Sequence, residues 1–126
     1  KAAQIPDLVP VLAVCAAFAE GTTRIYNAER LRIKESDRAA CMEKELRKLG
    51  YQISTDENNV RIQGKTKICP GKEVILSGNN DHRVVMALSV LATTSEEYVM
   101  IDGAEAVQKS YPAFFEDLLK TGADIC

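Results

Sequence analysis

Two segments of this sequence have helical length and almost no polar face, and they constrain the fold more than any other feature. Positions 6–19 carry Leu8, Val9, Val11, Leu12, Val14, Cys15 and Phe18 with alanines between them. Positions 82–91 carry Val84, Val85, Met86, Ala87, Leu88, Val90 and Leu91. A helix that is apolar on nearly every side is a buried helix. The longer apolar run, 8–19, is too short to cross a bilayer and contains Pro10. Both segments therefore predict helices in the interior with sheets outside them, the reverse of the usual layering. Pro6 suits the first turn of one helix, and Gly21 stops it.

The elements between these helices recur in order. Positions 22–28 are rich in β-formers and predict a strand, and a polar stretch follows at 29–36. An amphipathic helix is expected over 37–49, with Ser36 as its N-cap and Ala39, Met42, Leu46 and Leu49 as its apolar stripe. Gly50 ends it. Strands at 51–55 and 60–63 flank Asp56-Glu57-Asn58-Asn59 and predict a hairpin, with Arg61 and Gln63 on a solvated face. The order then restarts with a strand at 73–76, the apolar helix 82–91, a strand at 98–101 and a polar stretch at 102–110. A helix at 112–119 and the start of a strand at 123–126 complete it. Asp7 and Asp81 open the two apolar helices 74 positions apart, and Glu35-Ser36 and Lys109-Ser110 precede the two amphipathic ones at the same offset. Gly50 and Gly122 are separated by 72. This is an internal repeat.

Polar residues with chemical use gather at helix starts: Asp7 at the first, Lys34, Glu35, Asp37 and Arg38 at the second, Asp81, His82 and Arg83 at the third, Lys109 and Ser110 before the fourth. Helix N-termini favour anions through their unpaired N–H groups and partial positive charge. If the repeats pack side by side, Lys34, Arg38, Arg83 and Lys109 converge on one spot that suits a phosphate and a carboxylate, with Asp7 and Glu35 as base and acid beside them. Each residue also has a plainer reading. Asp7 can simply favour the helix dipole, residues 34–38 can form a solvated charged turn, and Lys109 can be an ordinary surface lysine. Arg83 is harder to explain that way. A cation at a helix N-terminus faces the unfavourable end of the dipole, and a bound anion would compensate.

The chain is 126 residues long, which suits one domain, and its formal charge of −2 gives no sign of a polyanionic partner. Cys15, Cys41, Cys69 and Cys126 form no C-x-x-C pair and have only His82 as a companion imidazole, so they read as reduced cysteines of a cytosolic protein and not as a zinc site. The chain opens on Lys1 and enters a helical pattern at once, which suggests a fragment of a longer protein.

Several stretches, Ile5-Pro6-Asp7, the run LRIKESDR at 31–38, the run NNDHR at 79–83 and Lys109-Ser110-Tyr111-Pro112, together resemble the EPSP synthase family of enolpyruvyl transferases. Gly21-Thr22-Thr23 and the run LRKLG at 46–50 fit it too, and the resemblance covers essentially the whole chain. It implies an α/β (α+β) fold of two βαβαββ-type repeats with buried helices and outer sheets, part of an inverted α/β barrel domain. The repeat units would span about 1–64 and about 65–126 of a fragment of one domain. It implies transfer of the enolpyruvyl group of phosphoenolpyruvate (PEP) to the 5-hydroxyl of shikimate 3-phosphate, through a tetrahedral intermediate that loses phosphate, with no metal or organic cofactor. By the same resemblance Asp7 acts as base, Glu35 transfers a proton at the PEP methylene, and Lys34 contacts shikimate 3-phosphate. Arg38, Arg83 and Lys109 hold PEP, where the herbicide glyphosate also sits, and His82 lies near the same pocket. The implied partners are the two substrates and the missing domain of the same enzyme, with no nucleic acid and no membrane, in the cytoplasm. The chain alone is then expected to be catalytically silent. Where some family members have an Asn that binds shikimate 3-phosphate this sequence has Arg30, with Asn27 nearby, so that role is not carried over. Two rivals are the sister enzyme acting on UDP-N-acetylglucosamine, against which the KESDR run argues, and a non-catalytic RNA-binding module of the same repeat fold. The charge and the lack of Trp count against the latter.

Overall fold

A computed structural model describes residues 2–65 and 73–126. Helix α1 (Val9–Phe18) follows a 3-10 turn at Pro6–Leu8 and leads to strand β1 (Thr22–Tyr26). A 3-10 turn over Glu29–Ile33 connects β1 to helix α2 (Arg38–Lys48), and strands β2 (Gln52–Thr55) and β3 (Asn59–Gln63) come next. The second unit has strand β4 (Val74–Ser77), helix α3 (His82–Ala92), strand β5 (Val99–Asp102), a 3-10 turn over Ala104–Lys109 and helix α4 (Phe114–Lys120). The two polar stretches read from the sequence thus both form 3-10 turns. Each is preceded by a left-handed residue, Asn27 at φ 59° or Gly103 at φ 74°.

The first sheet is antiparallel in the order β1-β3-β2, with Ile25 opposite Val60 and Ile53 opposite Ile62. Alternation is clear in β3, where Val60 and Ile62 are buried while Arg61 and Gln63 face solvent. Asp56 fixes the hairpin by accepting the backbone N–H groups of Asn58 and Asn59 at 2.9 and 2.8 Å. The second sheet is the parallel pair β4-β5, and α3 supplies the crossover that parallel strands require.

The core lies between the helices and the inner faces of the sheets. Ala13, Ala17, Leu31, Met42, Leu46, Ile62, Leu76, Leu88 and Leu91 belong to one cluster, in which the alanines of α1 let its backbone approach α3. Val85, Ala106 and Val107 form a smaller one against Phe114 and Phe115 of α4. Chain crossings are tight. A Cβ on Gly64 would sit 1.7 Å from the Ala19 carbonyl oxygen, and a Cβ on Gly78 would sit 2.4 Å from a Val85 methyl. Neither position accepts a side chain without displacing its neighbour.

Three sequence expectations change. Helix α1 is not buried all round, because Leu8, Val11, Leu12 and Cys15 form an exposed stripe. Cover comes from α2, α3 and β3, and these meet only one side of the helix. Ser36 does not cap α2. Asp37 does, accepting the Ala40 N–H at 3.1 Å, and it leaves the Ser36 hydroxyl for another partner. No strand forms at 123–126, although Asp124 accepts the Tyr98 hydroxyl at 3.2 Å just before β5. Cys15, Cys41 and Cys126 are free thiols, and Cys69 lies outside the described residues. Among the described residues no helix is long and apolar enough to cross a membrane.

Candidate active site

Arg38 opens α2 and is the hub of the site. Its side chain is 1% exposed, a position in which a guanidinium is stable only if its donors are met. Three carboxylates meet them. Asp81 takes Nε at 2.9 Å and Nη2 at 3.3 Å, Asp7 takes Nη1 at 2.6 Å, and Glu35 takes Nη2 at 2.7 Å. Helix starts bring these groups together, as the clustering in the sequence suggested. Asp7 sits in the 3-10 turn before α1, Glu35 just before α2, and Asp81 just before α3.

The three carboxylates differ in burial. Asp81 is 0% exposed, accepts the Ser36 hydroxyl at 2.8 Å and caps α3 through the Arg83 N–H at 2.9 Å. Asp7 is 51% exposed and Glu35 43% exposed, and Asp7 makes no cap bond to α1. Burial opposes ionisation of Asp81, but the bonds from Arg38 and Ser36 outweigh it and hold its pKa below the usual carboxylate value. The hydrogen bond from Arg38 lowers the pKa of Asp7, burial works against this, and the charges of Lys34, Arg38 and Arg83 add to the lowering. For Arg38, burial favours losing the proton, and the bonds to Asp81 and Asp7 more than reverse that.

The other sequence-predicted residues surround this hub. Lys34 approaches Asp7 to 3.6 Å. Lys109 reaches Asn80 within the second unit, donating to its carbonyl oxygen and, at 2.7 Å, to its side-chain oxygen. His82 is 8% exposed with its Nδ1 unpartnered, and Nε of Arg83 is also buried without a partner. Arg30 points elsewhere, donating to the Ala3 carbonyl at 3.3 Å. The structure thus joins Asp7, Lys34, Glu35 and Arg38 in one network, sets Arg83 within its field, and places Lys109 at the adjoining turn. The sequence reading missed Ser36 and Asp81 as members of the hub. The signal was present for Asp81, an aspartate at the mouth of an apolar helix in a cluster rich in cations.

Two surface hollows lie on the first sheet, one beside Arg47, Tyr51 and Arg61 and one beside Arg24, Tyr26 and Glu29. Neither includes a residue of the hub.

The sequence matches the family model of EPSP synthase (3-phosphoshikimate 1-carboxyvinyltransferase) over residues 1–118. It is 51% identical to a 3-phosphoshikimate 1-carboxyvinyltransferase of Clostridium acetobutylicum and 50% identical to one of Methanocella arvoryzae, each over 98% of this chain. The chain spans 28% of the length of each of these relatives. Its fold superposes on the EPSP synthase of Acinetobacter baumannii with a TM-score of 0.83 and 31% identity, covering 98% of this chain and 29% of that one.

Proposed function

The chain belongs to the EPSP synthase family, and from that premise we propose that it is part of an enzyme that transfers the enolpyruvyl group of PEP to the 5-hydroxyl of shikimate 3-phosphate, releasing phosphate. The activity belongs to the longer protein, and the rest of that protein is this chain's partner in catalysis. The chain is then a fragment of one domain, with units at about 1–64 and about 65–126. The reading places it in the shikimate pathway and in the cytoplasm, and it makes the PEP site the target of glyphosate. The family match and the named relatives favour it over a UDP-N-acetylglucosamine enolpyruvyl transferase or an RNA-binding module.

The observation that carries the proposal is the charge pattern around Arg38. Lys34 and Arg38 pair with Asp7, Glu35 and Asp81, the charge of Arg83 reaches Asp7, and Lys109 stands at the adjoining turn on Asn80. Substrate carboxylate and phosphate groups can take over the donors that Asp7 and Glu35 now occupy, with Arg38, Arg83 and Lys109 on PEP, Lys34 on shikimate 3-phosphate and His82 beside the pocket. The two substrates carry more negative charge than these cations leave unpaired, so further cations come from the rest of the longer protein.

The unequal exposure of the carboxylates supports a particular sequence of events. Asp81 holds the inner edge of the guanidinium throughout. Asp7 and Glu35 are half-exposed and can turn away when a substrate carboxylate or phosphate takes over Nη1 and Nη2. Asp7 is a weak base while Arg38 lowers its pKa, and losing that bond raises its basicity when a hydroxyl arrives to be deprotonated. Glu35, displaced at the same time, becomes free to move a proton at the PEP methylene. Positioning and charge neutralisation then supply most of the acceleration.

The test is phosphate release by the full-length protein. It should require PEP and shikimate 3-phosphate together, and this chain alone should release none. Turnover with UDP-N-acetylglucosamine in place of shikimate 3-phosphate would sink the assignment.

A further inference from the structure

Helix α2 carries a carboxylate that the reaction above does not use. Glu45 is 0% exposed. Its Oε2 accepts the Ser77 backbone N–H at 2.9 Å and pairs with the Lys48 ammonium at 2.6 Å. Its Oε1 is buried without a hydrogen-bond partner. A carboxylate is an expensive side chain to bury in this way. An apolar residue would fill the same place on the stripe beside Leu46 at no such cost, so the bond to Ser77 has to be of use.

Lys48 also donates to the Ile75 carbonyl at 3.0 Å. Ile75 and Ser77 are two apart on β4, so their backbone groups point to the same edge of the strand. β5 pairs with β4, and Glu45 and Lys48 supply an acceptor and a donor to β4 from α2, as a neighbouring strand would. The first unit thus grips the second by its main chain.

Ser77 is the last residue of β4, and the rest of its polar groups shape the turn that follows. Its hydroxyl accepts the Asn79 N–H at 3.2 Å and its carbonyl accepts the Asn79 side-chain amide at 2.9 Å. Asn79 and Asn80 both take left-handed conformations, φ 51° and 54°, which asparagine adopts more readily than other non-glycine residues. This turn delivers Asn80 to Lys109 and Asp81 to Arg38.

We infer that Glu45 is a positioning residue for the anion site: by fixing the Ser77 N–H, it sets the placement of the 77–81 turn and, through it, of Lys109 and Arg38. The inference rests on the enolpyruvyl-transfer reading. It assigns Glu45 no contact with substrate and predicts a selective effect on PEP.

The experiment uses the full-length protein with Glu45→Gln, Glu45→Ala and Lys48→Met. Glutamine keeps an oxygen for the Ser77 N–H and alanine does not. Glu45→Ala should raise KM for PEP about tenfold and move KM for shikimate 3-phosphate less than about twofold, while Glu45→Gln stays within about threefold for both. Lys48→Met should raise KM for PEP by about two- to threefold, and it decides the matter if Glu45→Ala does not fold. Amide exchange at Ser77, Asn79 and Asn80 should accelerate in Glu45→Ala and not in Glu45→Gln. A lowered Tm with both KM values unchanged would reduce Glu45 to a stability residue and overturn the inference. Glutamine as damaging as alanine would also overturn it. If the wild-type protein turns over no PEP with shikimate 3-phosphate, the enolpyruvyl-transfer reading fails instead, and the exchange pattern alone decides whether Glu45 holds the turn.

Discussion

The two units use one plan with opposite emphasis, most clearly at the aspartates that precede their apolar helices. Asp7 and Asp81 occupy equivalent places 74 positions apart, and both bind Arg38. Asp81 is fully buried, caps its helix and takes a second bond from Ser36, whereas Asp7 is half-exposed and caps nothing. The same side chain is thus a buried support in one unit and a half-exposed partner in the other. The amphipathic helices differ in the same way. α2 buries Ala39, Met42 and Leu46 and packs against β2 of the hairpin, while α4 has no buried residue and meets the smaller cluster through Phe114 and Phe115. An amphipathic pattern makes a helix ready to pack, and what lies against it decides how much it contributes.

The sharpest way to break this comparison is to remove each aspartate in turn. Asp81→Ala leaves Arg38 buried with its inner edge unpaired and should lower unfolding stability by about 3–5 kcal/mol. Asp7→Ala loses an exposed partner and should cost less than about 1 kcal/mol. Urea unfolding of both variants checks this, and equal losses would erase the distinction. The helices give the next contrast. Leu46→Ala, at a fully buried site, should cost about 2–5 kcal/mol, and Leu119→Ala, on the exposed side of α4, less than about 0.5 kcal/mol.

A smaller effect should appear in the pH dependence. Asp7 and Asp81 both have lowered pKa values in the folded chain. Their stabilisation is therefore present above the unfolded carboxylate value, about 3.9, and is lost as pH falls through the folded values. Stability should be level near neutrality and decline below about pH 4, and Asp81→Asn should flatten that decline more than Asp7→Asn. Chemical unfolding at stepped pH values measures it. The smallest expected difference separates Ser36 from Asp37. Ser36→Ala removes the bond to Asp81, and Asp37→Ala removes the cap of α2, each for about 1 kcal/mol. Only Ser36→Ala should also flatten the acid decline, because raising the folded pKa of Asp81 toward its unfolded value shrinks the difference that drives it.

Local chemistry made most of the elements legible. The apolar runs gave α1 and α3, and the alternation in 60–63 with its Asp-Asn turn gave the hairpin. The helix-start clustering marked Asp7, Lys34, Glu35 and Arg38, which do sit together. What stayed hidden depends on contacts between distant positions. Arg38 and Asp81 are 43 positions apart, and no pattern within either segment specifies their pairing. Cap choice between Ser36 and Asp37 turned on which hydroxyl or carboxylate a third element needed. The apolar pattern of α1 reported what the helix can cover, so it could not reveal that Leu8, Val11 and Leu12 remain bare in this chain.

Gly64 has a consequence for reading a mutational scan of this protein. It carries no functional group and lies in neither the hub nor the 77–81 turn, yet any Cβ there would collide with the Ala19 carbonyl. Every substitution at this codon should score as a loss, with a profile as severe as that of a substrate-binding residue. Half-exposed Asp7, whose replacement should disturb folding little, would on the proposed role be spared in an abundance screen and lost in a growth screen. Gly64 should be lost in both. Scoring the two screens against each other separates a position selected for the space it leaves from one selected for its chemistry.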